Sequence, residues 1–277
     1  MYCYLDGKLI SLEKARIDPR DRGFLLGDGV FETLLAETGR VRRPGRHFAR
    51  LRASAGILGI PLTISDPDLL EGMERLLREN QLLQGRAAAR ITLSRGVAGR
   101  GLLPPSTATP TLLISVAETP PPPASMRAVT ASYLRNEKSI GSRIKSLNYL
   151  DNIMARREAA LRGADEALMP NSRGALACAS AANLFVVQDG VLMTPTLDEG
   201  ALPGVMRALV LETAAALGIP ARETRIMPDS LPHAAEAFLS NALLGLCPLI
   251  EIDGKPHRIG DTGPLTQRLQ DATADRE

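Results

Sequence analysis

The 277-residue chain is long enough for one large domain or two ordinary ones, and its 44% apolar residues can form a sizeable core. Its 33 Lys and Arg residues nearly balance 31 Asp and Glu residues, and a formal charge of +2 gives no reason to expect nucleic acid or a membrane surface as a partner. There is no apolar run of about 18 residues that could span a bilayer and no signal-peptide pattern at the start, so we expect a cytoplasmic protein.

The chain has only three cysteines and three histidines. An odd and sparse cysteine count favours a reducing compartment over a disulfide framework. Cys3, Cys178 and Cys247 lack the paired spacing of a zinc site, and no two histidines are spaced for joint metal binding. We therefore expect neither disulfide bonds nor a metal ion.

The first part of the chain alternates predicted strands and helices. Asp6-Gly7 is a hairpin signal between two short strands. Apolar residues at helical spacing predict a helix over 46–58. Asp66-Pro67 predicts the start of another helix, with Asp66 as N-cap and Pro67 in the first helical position. The predicted strands are 2–5, 8–10, 30–37, 87–94 and 111–117.

Four consecutive prolines at 120–123 mark the clearest boundary, because proline continues neither a helix nor a strand ladder. We predict a first domain over 1–118, a stiff linker over 119–125 and a second domain over 126–277. In the second domain the predicted strands are 127–133, 166–170, 184–188, 191–194, 250–252 and 255–257. The predicted helices are 150–162, 204–217 and 231–235.

The segment RIKSLNYLDN at 143–152 contains the strongest candidate for a reactive group. Lys145 stands just before a predicted helix and is followed by an amide, an aromatic hydroxyl and an acid. A desolvated lysine amine can form a Schiff base with an aldehyde cofactor. Taken alone, the segment is equally compatible with an ordinary surface lysine.

Three other segments are weak signals individually. GDGVFET at 27–33 places two glycines before a strand, which by itself predicts only a turn. HFARL at 47–51 places Arg50 in an amphipathic helix, where an arginine is usually solvated. ALPGVMR at 201–207 opens a helix whose free N–H groups can bind an anion. A routine Pro-Gly helix start is the commoner explanation of such a segment.

Together and in this order, these segments resemble the fold-type IV pyridoxal phosphate enzymes, which include branched-chain and D-amino-acid aminotransferases and aminodeoxychorismate lyases. The resemblance extends from Asp6-Gly7 to Gly263-Pro264 and includes AANLF at 181–185, TP at 194–195 and SNALLGLCPLIEIDG at 240–254. It implies a mixed α/β fold with a small N-terminal α/β domain and a larger C-terminal pseudo-barrel domain. It also implies pyridoxal 5′-phosphate as cofactor, a small-molecule substrate and a homodimer.

The resemblance implies roles for individual residues. Lys145 would form the Schiff base with the cofactor and move the α-proton of the substrate. Tyr149 would hydrogen-bond the phenolic oxygen of the cofactor, and Phe31 would lie on the substrate side. A guanidinium suits a dianionic phosphate, and the residues that would bind the cofactor phosphate are Arg50, Val205, Met206, Asn241 and Ala242.

Within the family, several segments are more similar to the lyases. SRGVAGRG at 94–101 resembles a glycine- and arginine-rich segment of aminodeoxychorismate lyases, with Leu102 where those proteins often have tyrosine. Arg100 would bind a substrate carboxylate, and residues 101–105 would reach toward the cofactor of the partner subunit. Segments 181–185 and 241–243 are also lyase-like, whereas aminotransferases usually have a threonine-rich segment at 240–242.

One position departs from the family pattern. The family has a glutamate five residues before the asparagine of NLF, where it faces the pyridine nitrogen of the cofactor, and this chain has Cys178. A thiol has a pKa of ~8.5 and cannot supply the buried negative charge that stabilises a pyridinium. The nearest acidic residues, Asp165, Glu166 and Asp189, lie outside the motif. We therefore expect a weaker electron sink.

The resulting prediction is a lyase that converts 4-amino-4-deoxychorismate to 4-aminobenzoate and pyruvate, in folate precursor synthesis. Without a carboxylate opposite the pyridine nitrogen, transamination should be impaired more than an elimination that is driven by aromatisation. Two alternatives stay open. One is an aminotransferase acting on D-amino acids, branched-chain amino acids or aromatic amines, and the other is a cofactor-binding protein without activity.

Overall fold

The computed structural model describes residues 1–107, 109–256, 262–274 and 276. The chain forms two compact units. The first contains Met1–Pro121 together with Lys145–Asn148, and the second contains Pro122–Ile144 and Tyr149–Arg276. The inclusion of Lys145–Asn148 in the first unit is a feature that the sequence did not indicate. The domain limits 1–118 and 126–277 stay a prediction.

The first unit is built on a six-stranded sheet whose neighbouring strands are all antiparallel. Its strands are β1 (Tyr2–Leu5), β2 (Lys8–Ser11), β3 (Gly29–Glu37), β4 (Arg40–Val41), β5 (Arg86–Ser94) and β6 (Thr111–Glu118), in the order β2-β1-β6-β5-β3-β4. Its helices are α1 (Arg22–Leu26), α2 (Pro44–Leu58) and α3 (Asp66–Glu79). The strands and the two long helices predicted for this part are confirmed, with ends shifted by at most about two residues.

The Asp6-Gly7 hairpin is also confirmed. Leu5 pairs with Lys8 across a two-residue loop, and Asp6 and Gly7 have φ values of 48° and 84°. Positive φ at both loop residues is the conformation that the right-handed twist of a tight hairpin requires. Aspartate and glycine are among the residues that adopt it at lowest cost.

Helix α3 begins differently from the prediction. Its N-cap is Ser65, whose Oγ accepts a hydrogen bond from the Asp68 amide at 3.3 Å, while Asp66 and Pro67 lie in the first turn. Serine and aspartate are about equally good N-caps, so local propensity could not choose between neighbouring residues. Asp66 instead adds negative charge where the helix dipole favours it.

Side chains alternate between the two faces of a strand, and most residues of β3 are buried on both faces. Val30, Leu34 and Ala36 of β3 are buried on the core face, against which α2 packs. Glu32 shares this face, where the alternation places a carboxylate among apolar side chains. Phe31 points to the opposite face.

The second unit contains a nine-stranded mixed sheet. Its strands are β7 (Met126–Thr130), β8 (Glu166–Pro170), β9 (Leu176–Ala179), β10 (Asn183–Gln188), β11 (Val191–Pro195), β12 (Ala221–Thr224), β13 (Glu236–Asn241), β14 (Gly245–Ile252) and β15 (Lys255–Pro256). The order is β12-β11-β10-β13-β14-β7-β8-β9, and β15 pairs with β14. Its helices are α4 (Ile140–Arg143), α5 (Leu150–Leu161), α6 (Val205–Ala216) and α7 (Pro264–Ala274).

Several predictions for this unit need correction. The helix predicted over 231–235 is a 3-10 helix over Pro228–His233, and Pro232 inside it cannot donate the backbone hydrogen bond of an α-helix. The strand predicted over 127–133 ends at Thr130. The segment around Cys178, for which no element was predicted, is the strand β9. The strands predicted over 250–252 and 255–257 lie in β14 and β15, which pair on either side of Asp253-Gly254, while His257 lies outside the described residues.

The described ranges contain no helix that is both long and apolar enough to cross a membrane. Within the same ranges, no group of three or more His, Cys, Asp or Glu side chains is arranged to hold a metal ion. Cys3, Cys178 and Cys247 are buried and free.

Candidate active site

Residues around Lys145 run beside the start of β3. The Phe31 amide donates a hydrogen bond to the Lys145 carbonyl at 2.9 Å, and the Leu147 amide donates to the Gly29 carbonyl at 3.0 Å. The helix predicted over 150–162 is confirmed as α5 (Leu150–Leu161), so four residues separate Lys145 from its start and Lys145 does not directly precede it. Lys145 is positioned by backbone bonds to a strand and not by a helix.

Gly29 allows this close approach. A Cβ at Gly29 would lie 2.5 Å from the Leu93 carbonyl oxygen and 2.8 Å from Leu147 Cδ1, both closer than real contacts allow. Any larger residue would therefore push the Lys145 segment or β5 away from β3. Close packing therefore requires glycine at position 29, which the turn pattern in the sequence did not indicate.

The ring of Phe31 contacts two cationic side chains. Lys145 Nζ lies 4.2 Å from the ring centroid and Arg90 Cζ lies 3.9 Å from it. Phe31 is only 6% exposed, so the ring is a fixed surface. Cation–π attraction holds both side chains near one ring without neutralising their charge. The face of β3 opposite α2 therefore brings Phe31 and Lys145 together with Arg90, which the sequence had not singled out.

On the core face of β3, Glu32 is fully buried and is bound by two side chains of α2. Arg50 donates from Nε to Oε1 and from Nη2 to Oε2, each at 2.7 Å. His47 Nδ1 lies 2.7 Å from Oε2. A bidentate guanidinium–carboxylate pair is a strong and directional contact, and it joins β3 to α2. The role of Arg50 as a phosphate ligand stays a prediction.

The charges in this cluster follow from its pKa shifts. Burial would raise the pKa of the Glu32 carboxyl, but hydrogen bonds from Arg50 and His47 outweigh burial and lower the pKa to about 2. Burial lowers the pKa of His47 below its usual value, although Glu32 opposes this effect. The imidazole is therefore neutral at neutral pH. Because an ionised carboxylate only accepts hydrogen bonds, we assign the imidazole proton to Nδ1.

In the second unit, helix α6 starts at a residue that cannot cap it. The N-cap is Gly204, which has no side chain, so the amides of Val205 and Met206 are left for another acceptor. Gly204 packs so tightly against Asn183 that a Cβ would lie 2.0 Å from Asn183 Oδ1. Asn183 Nδ2 also donates to the Leu202 carbonyl at 2.9 Å. Asn183 therefore holds the backbone that leads into α6.

Ser240 stands directly opposite Asn183 on the neighbouring strand β13. Opposed residues of an antiparallel pair face the same side of the sheet, so the Ser240 hydroxyl lies on the side of Asn183. Its Oγ is buried and has no hydrogen-bond partner among the described residues. A buried unpaired hydroxyl costs about 1–3 kcal/mol, which a bound acceptor would offset.

Asn241, the next residue, uses its side chain to shape a turn. Its carboxamide oxygen accepts from the Leu243 and Leu244 amides at 2.9 and 2.8 Å, and its nitrogen donates to the Ala181 carbonyl at 3.0 Å. The amide group is therefore committed within the unit. Any contact from 241–242 to a phosphate would come from the backbone.

Cys178 lies on β9 opposite Met169 of β8 and is 5% exposed. Burial raises the pKa of its thiol, the charge of Arg135 lowers it by less, and the charge of Glu166 raises it further. The thiol is therefore protonated at neutral pH. Glu166, one of the acidic residues noted near this position in the sequence, therefore acts on the thiol electrostatically.

Glu166 is itself surrounded by donors. Its carboxylate accepts hydrogen bonds from the Ser180 hydroxyl, from the Ser180 amide at 3.3 Å and from the Ala167 amide at 2.8 Å, and it pairs with Arg156 at 2.8 Å. Only 1% of the residue is exposed. These donors use the hydrogen-bonding capacity of the Glu166 carboxylate, so it is not placed as the direct acceptor for a further group.

The predicted site residues fall in both units. The first unit contains four of them, Phe31, Arg50, Arg100 and Lys145. The second contains Tyr149, Cys178, Val205, Met206, Asn241 and Ala242. Tyr149 is the N-cap of α5, and Arg100 lies in an exposed loop. Sequence reasoning did not single out Arg90 or Ser240, because neither residue type in a strand carries a signal of its own.

The chain matches the family described as Amino-transferase class IV over residues 29–252. This range is most of the chain, and the protein therefore belongs to that family. The matched range includes the Lys145 segment, the start of β3, the Cys178 strand and the start of α6. The predicted family membership is confirmed.

Two relatives and one solved structure illustrate the range of the family. The chain is 32% identical to a putative branched-chain-amino-acid aminotransferase of Methanocaldococcus jannaschii, over 99% of this chain and 96% of the relative. It is 31% identical to an aminodeoxychorismate lyase of Bacillus subtilis, over 96% and 92%. A branched-chain aminotransferase from the archaeon Thermoproteus uzoniensis, solved with norvaline, matches with a TM-score of 0.91 at 30% identity, over 100% and 96%. The predicted fold class is confirmed.

The Glu32 cluster generates a prediction about stability and pH. Glu32→Gln removes the fully buried carboxylate to which Arg50 donates two hydrogen bonds, and breaking such a pair costs about 3–5 kcal/mol of unfolding free energy at neutral pH. The pKa of Glu32 is lowered from 4.5 to about 2 on folding. A lowered carboxyl pKa stabilises the folded chain fully above about pH 4.5, and this stabilisation is lost as the pH falls toward about 2.

Urea unfolding at a series of pH values measures this effect. The difference between the natural chain and Glu32→Gln should shrink as the pH falls through this window. Glu71→Gln, at an exposed position of α3, is the matched control and should change the unfolding free energy little. A difference for Glu32→Gln that stays constant down to the acid end would contradict the assignment.

Proposed function

We propose that this protein is a pyridoxal 5′-phosphate-dependent lyase that converts 4-amino-4-deoxychorismate to 4-aminobenzoate and pyruvate. The observation that carries this choice is the buried, protonated thiol of Cys178, beside a Glu166 carboxylate that is already satisfied. Cys178 itself therefore offers the cofactor ring no negative charge. The proposal therefore favours a reaction that depends little on that charge.

Pyridoxal 5′-phosphate is the cofactor of this family, and when bound it supplies an aldehyde that condenses with amines and a ring that withdraws electrons. The start of α6 and the Ser240 hydroxyl fit a phosphate. The helix start offers the amides of Val205 and Met206 with the favourable end of the helix dipole, and Ser240 offers an unsatisfied buried donor. Asn241 and Ala242 follow Ser240, and Arg50 is the proposed guanidinium partner.

Lys145 is the proposed catalytic residue. Its amine would hold the cofactor and then take the proton from the substrate carbon that carries the amino group. The enolpyruvyl ether would leave from the ring as pyruvate, and the ring would become aromatic. The atoms of 4-aminobenzoate and pyruvate together equal those of the substrate, so the reaction needs no acceptor. Tyr149 would contact the cofactor, and Phe31 would line the substrate side.

Cys178 supports elimination over transamination for a physical reason. Transamination must store negative charge on the cofactor until a proton is delivered to it, and a charged ring nitrogen makes this storage easier. Elimination with aromatisation expels the leaving group instead, and the new aromatic ring provides much of the driving force. A thiol in place of a carboxylate should therefore slow the first reaction more than the second.

An aminotransferase is the second candidate. The M. jannaschii relative, at 32% identity, is named as a putative branched-chain aminotransferase, and another at 28% as a D-alanine aminotransferase of Staphylococcus aureus. For this activity the protein would need a keto acid to accept the amino group. That requirement separates the two candidates experimentally.

The proposal also assigns a substrate-binding role to Arg100 and a homodimeric assembly to the protein. Aminodeoxychorismate carries carboxylates, and a guanidinium is the side chain best suited to bind one with two hydrogen bonds. We assign this role to Arg100. A homodimer, in which residues 101–105 approach the cofactor of the partner subunit, follows from the family resemblance, and a two-fold pair is the commonest assembly.

The test of the proposed function is pyruvate release from aminodeoxychorismate without any keto acid. The natural chain, loaded with cofactor, should release pyruvate and 4-aminobenzoate in equal amounts. Lys145→Ala should release neither and should lose the borohydride-sensitive visible absorbance of bound cofactor. Lys138→Ala, an exposed lysine outside the motif, is the matched control and should keep both properties. Amino transfer to a keto acid without pyruvate release from aminodeoxychorismate would support the aminotransferase instead.

The phosphate assignment at α6 generates a second prediction. In Gly204→Ala the new Cβ would meet Asn183 Oδ1, so the backbone that presents Val205 and Met206 must shift. Charge-assisted hydrogen bonds contribute about 1.5–3 kcal/mol, so cofactor affinity should fall roughly tenfold or more. Absorbance titration of the apoprotein measures it.

The control for this substitution is Gly56→Ala in α2, where a Cβ meets nothing within 4 Å. Alanine suits a helix better than glycine, so this variant should fold well and bind cofactor normally. A folded Gly204→Ala protein with unchanged cofactor affinity would remove the α6 start from the phosphate site.

Cys178 generates a third prediction, on reaction preference. Cys178→Glu should add a carboxylate that raises the pKa of the cofactor ring nitrogen, observed by pH titration of the bound cofactor spectrum. It should also increase transamination with simple amino acids, while pyruvate release changes less. Cys178→Ala, which is small and neutral, is the control and should leave both activities near the natural values.

Packing sets a limit on this experiment. Ala177 and Ala179 beside Cys178 are almost fully buried, so a glutamate must fit into a dense region that already contains Glu166. Arg135 offers the new carboxylate a favourable charge. A folded Cys178→Glu variant that binds cofactor but shows neither the spectral change nor more transamination would contradict the role given to this position.

A further inference from the structure

Two buried arginines of the first unit share one carboxylate. Arg22 Nε donates to Asp28 Oδ2 at 2.7 Å, and Arg95 donates from Nε to Oδ2 at 2.8 Å and from Nη2 to Oδ1 at 3.1 Å. Arg22 is 5% exposed and Arg95 is 6% exposed. The three side chains therefore form a buried bridge with Asp28 at its centre.

Each arginine uses its remaining donors on backbone carbonyls. Arg95 binds the carbonyls of Leu58 and Gly59 at 2.7 and 3.2 Å, at the end of α2 where helix carbonyls lack helical partners. Arg22 binds the carbonyls of Gly101 and Leu102 at 2.8 and 2.9 Å. One end of the bridge is thus fixed to a long helix, and the other end holds the loop that carries Arg100.

Within its own subunit, the loop 99–102 and the residue after it make little packing contact. Leu102 and Leu103 are 82% and 89% exposed, and a Cβ at Gly99 or Gly101 would meet nothing within 4 Å. Gly101 has a φ of 120°, a conformation that suits glycine and few other residues. Within its own subunit, the loop therefore takes its position from hydrogen bonds, including those from Arg22 to the carbonyls of Gly101 and Leu102.

We propose that Arg22, anchored through Asp28 and Arg95 to the end of α2, is the positioning residue that fixes the loop 99–102 and thereby sets where Arg100 presents its guanidinium to the substrate carboxylate. The fork of Arg22 matches this task, because it reaches one carboxylate and two carbonyls at once. A lysine at the same place would keep the charge but could not span all three acceptors.

The state of Asp28 is consistent with this role. Burial would raise the pKa of its carboxyl, yet hydrogen bonds from Arg95 and Arg22 outweigh burial and hold the pKa below its usual value. Asp28 therefore stays ionised and keeps both guanidinium groups in place over the working pH range. The inference rests on the proposed function only in the part played by Arg100.

The experiment compares Arg22→Gln and Arg22→Lys with Arg52→Gln. Arg52 is a matched control in the same unit, since it also binds one carboxylate, Asp66, and two carbonyls, those of Leu62 and Ile64. Two quantities are measured on the holoenzyme. One is the rate at which trypsin cleaves after Arg100, followed by mass spectrometry, and the other is KM and kcat for aminodeoxychorismate.

We expect cleavage after Arg100 to accelerate about tenfold in both Arg22 variants and not in Arg52→Gln, because each Arg22 variant frees the loop. KM should rise about tenfold in both, with a smaller change in kcat, since a charge-assisted contact is misplaced and not removed. Arg22→Lys retains a cation beside Asp28 and should unfold at nearly the natural temperature. It therefore shows the loop effect even if Arg22→Gln is too unstable to purify.

The two readouts separate failure of this inference from failure of the proposed function. Cleavage after Arg100 that is no faster in Arg22→Lys than in Arg52→Gln overturns the inference, whatever the enzyme does. Faster cleavage with an unchanged KM overturns the link from Arg22 to the substrate. If the natural chain releases no pyruvate at all, the proposed function falls, and the cleavage rates alone then decide whether Arg22 positions the loop.

Discussion

The arrangement of the first unit depends on the backbone pairing between residues 145–147 and the start of β3. Two amide–carbonyl hydrogen bonds and an antiparallel bridge bring a segment from far along the chain against Gly29, Val30 and Phe31. This pairing is possible only because Gly29 has no Cβ. Once it is made, Lys145 lies over the Phe31 ring, and the alternation of β3 directs the next residue, Glu32, to the opposite face toward α2. One strand thus organises Lys145 on one face and the Glu32–Arg50 ion pair on the other.

Buried carboxylates are the second recurring feature. Glu32, Asp28 and Glu166 each lie in a low-dielectric environment, where an unpaired charge would be very costly. Each is satisfied by arginine or by several neutral donors. Glu236 follows the same rule, since it accepts the Leu265 and Thr266 amides at the start of α7. These contacts join elements that are distant in sequence, and they leave Cys178 as a buried position with no negative charge of its own.

Much of the local structure could be predicted from the chain. Apolar spacing located α2, Asp66-Pro67 located the first turn of α3, and Asp6-Gly7 located the hairpin. The local predictions that were wrong also have physical causes. Ser65 and Asp66 are equally good caps, and a 3-10 helix at Pro228–His233 has the apolar spacing of a short α-helix. The order of several weak motifs predicted the family, because a sequence of matches in one order is far more specific than any single match.

The sequence by itself determined the elements, the family and the candidate residues Lys145, Arg50 and Cys178, because these follow from local periodicity and from the order of motifs. Only the tertiary structure decided which side chains meet. It placed Arg90 on the Phe31 ring, left the Ser240 hydroxyl without a partner among the described residues beside Asn183, and tied Arg22 to the loop of Arg100. Such contacts join residues from different elements, and their energies depend on distance and burial, which do not exist until the chain has folded.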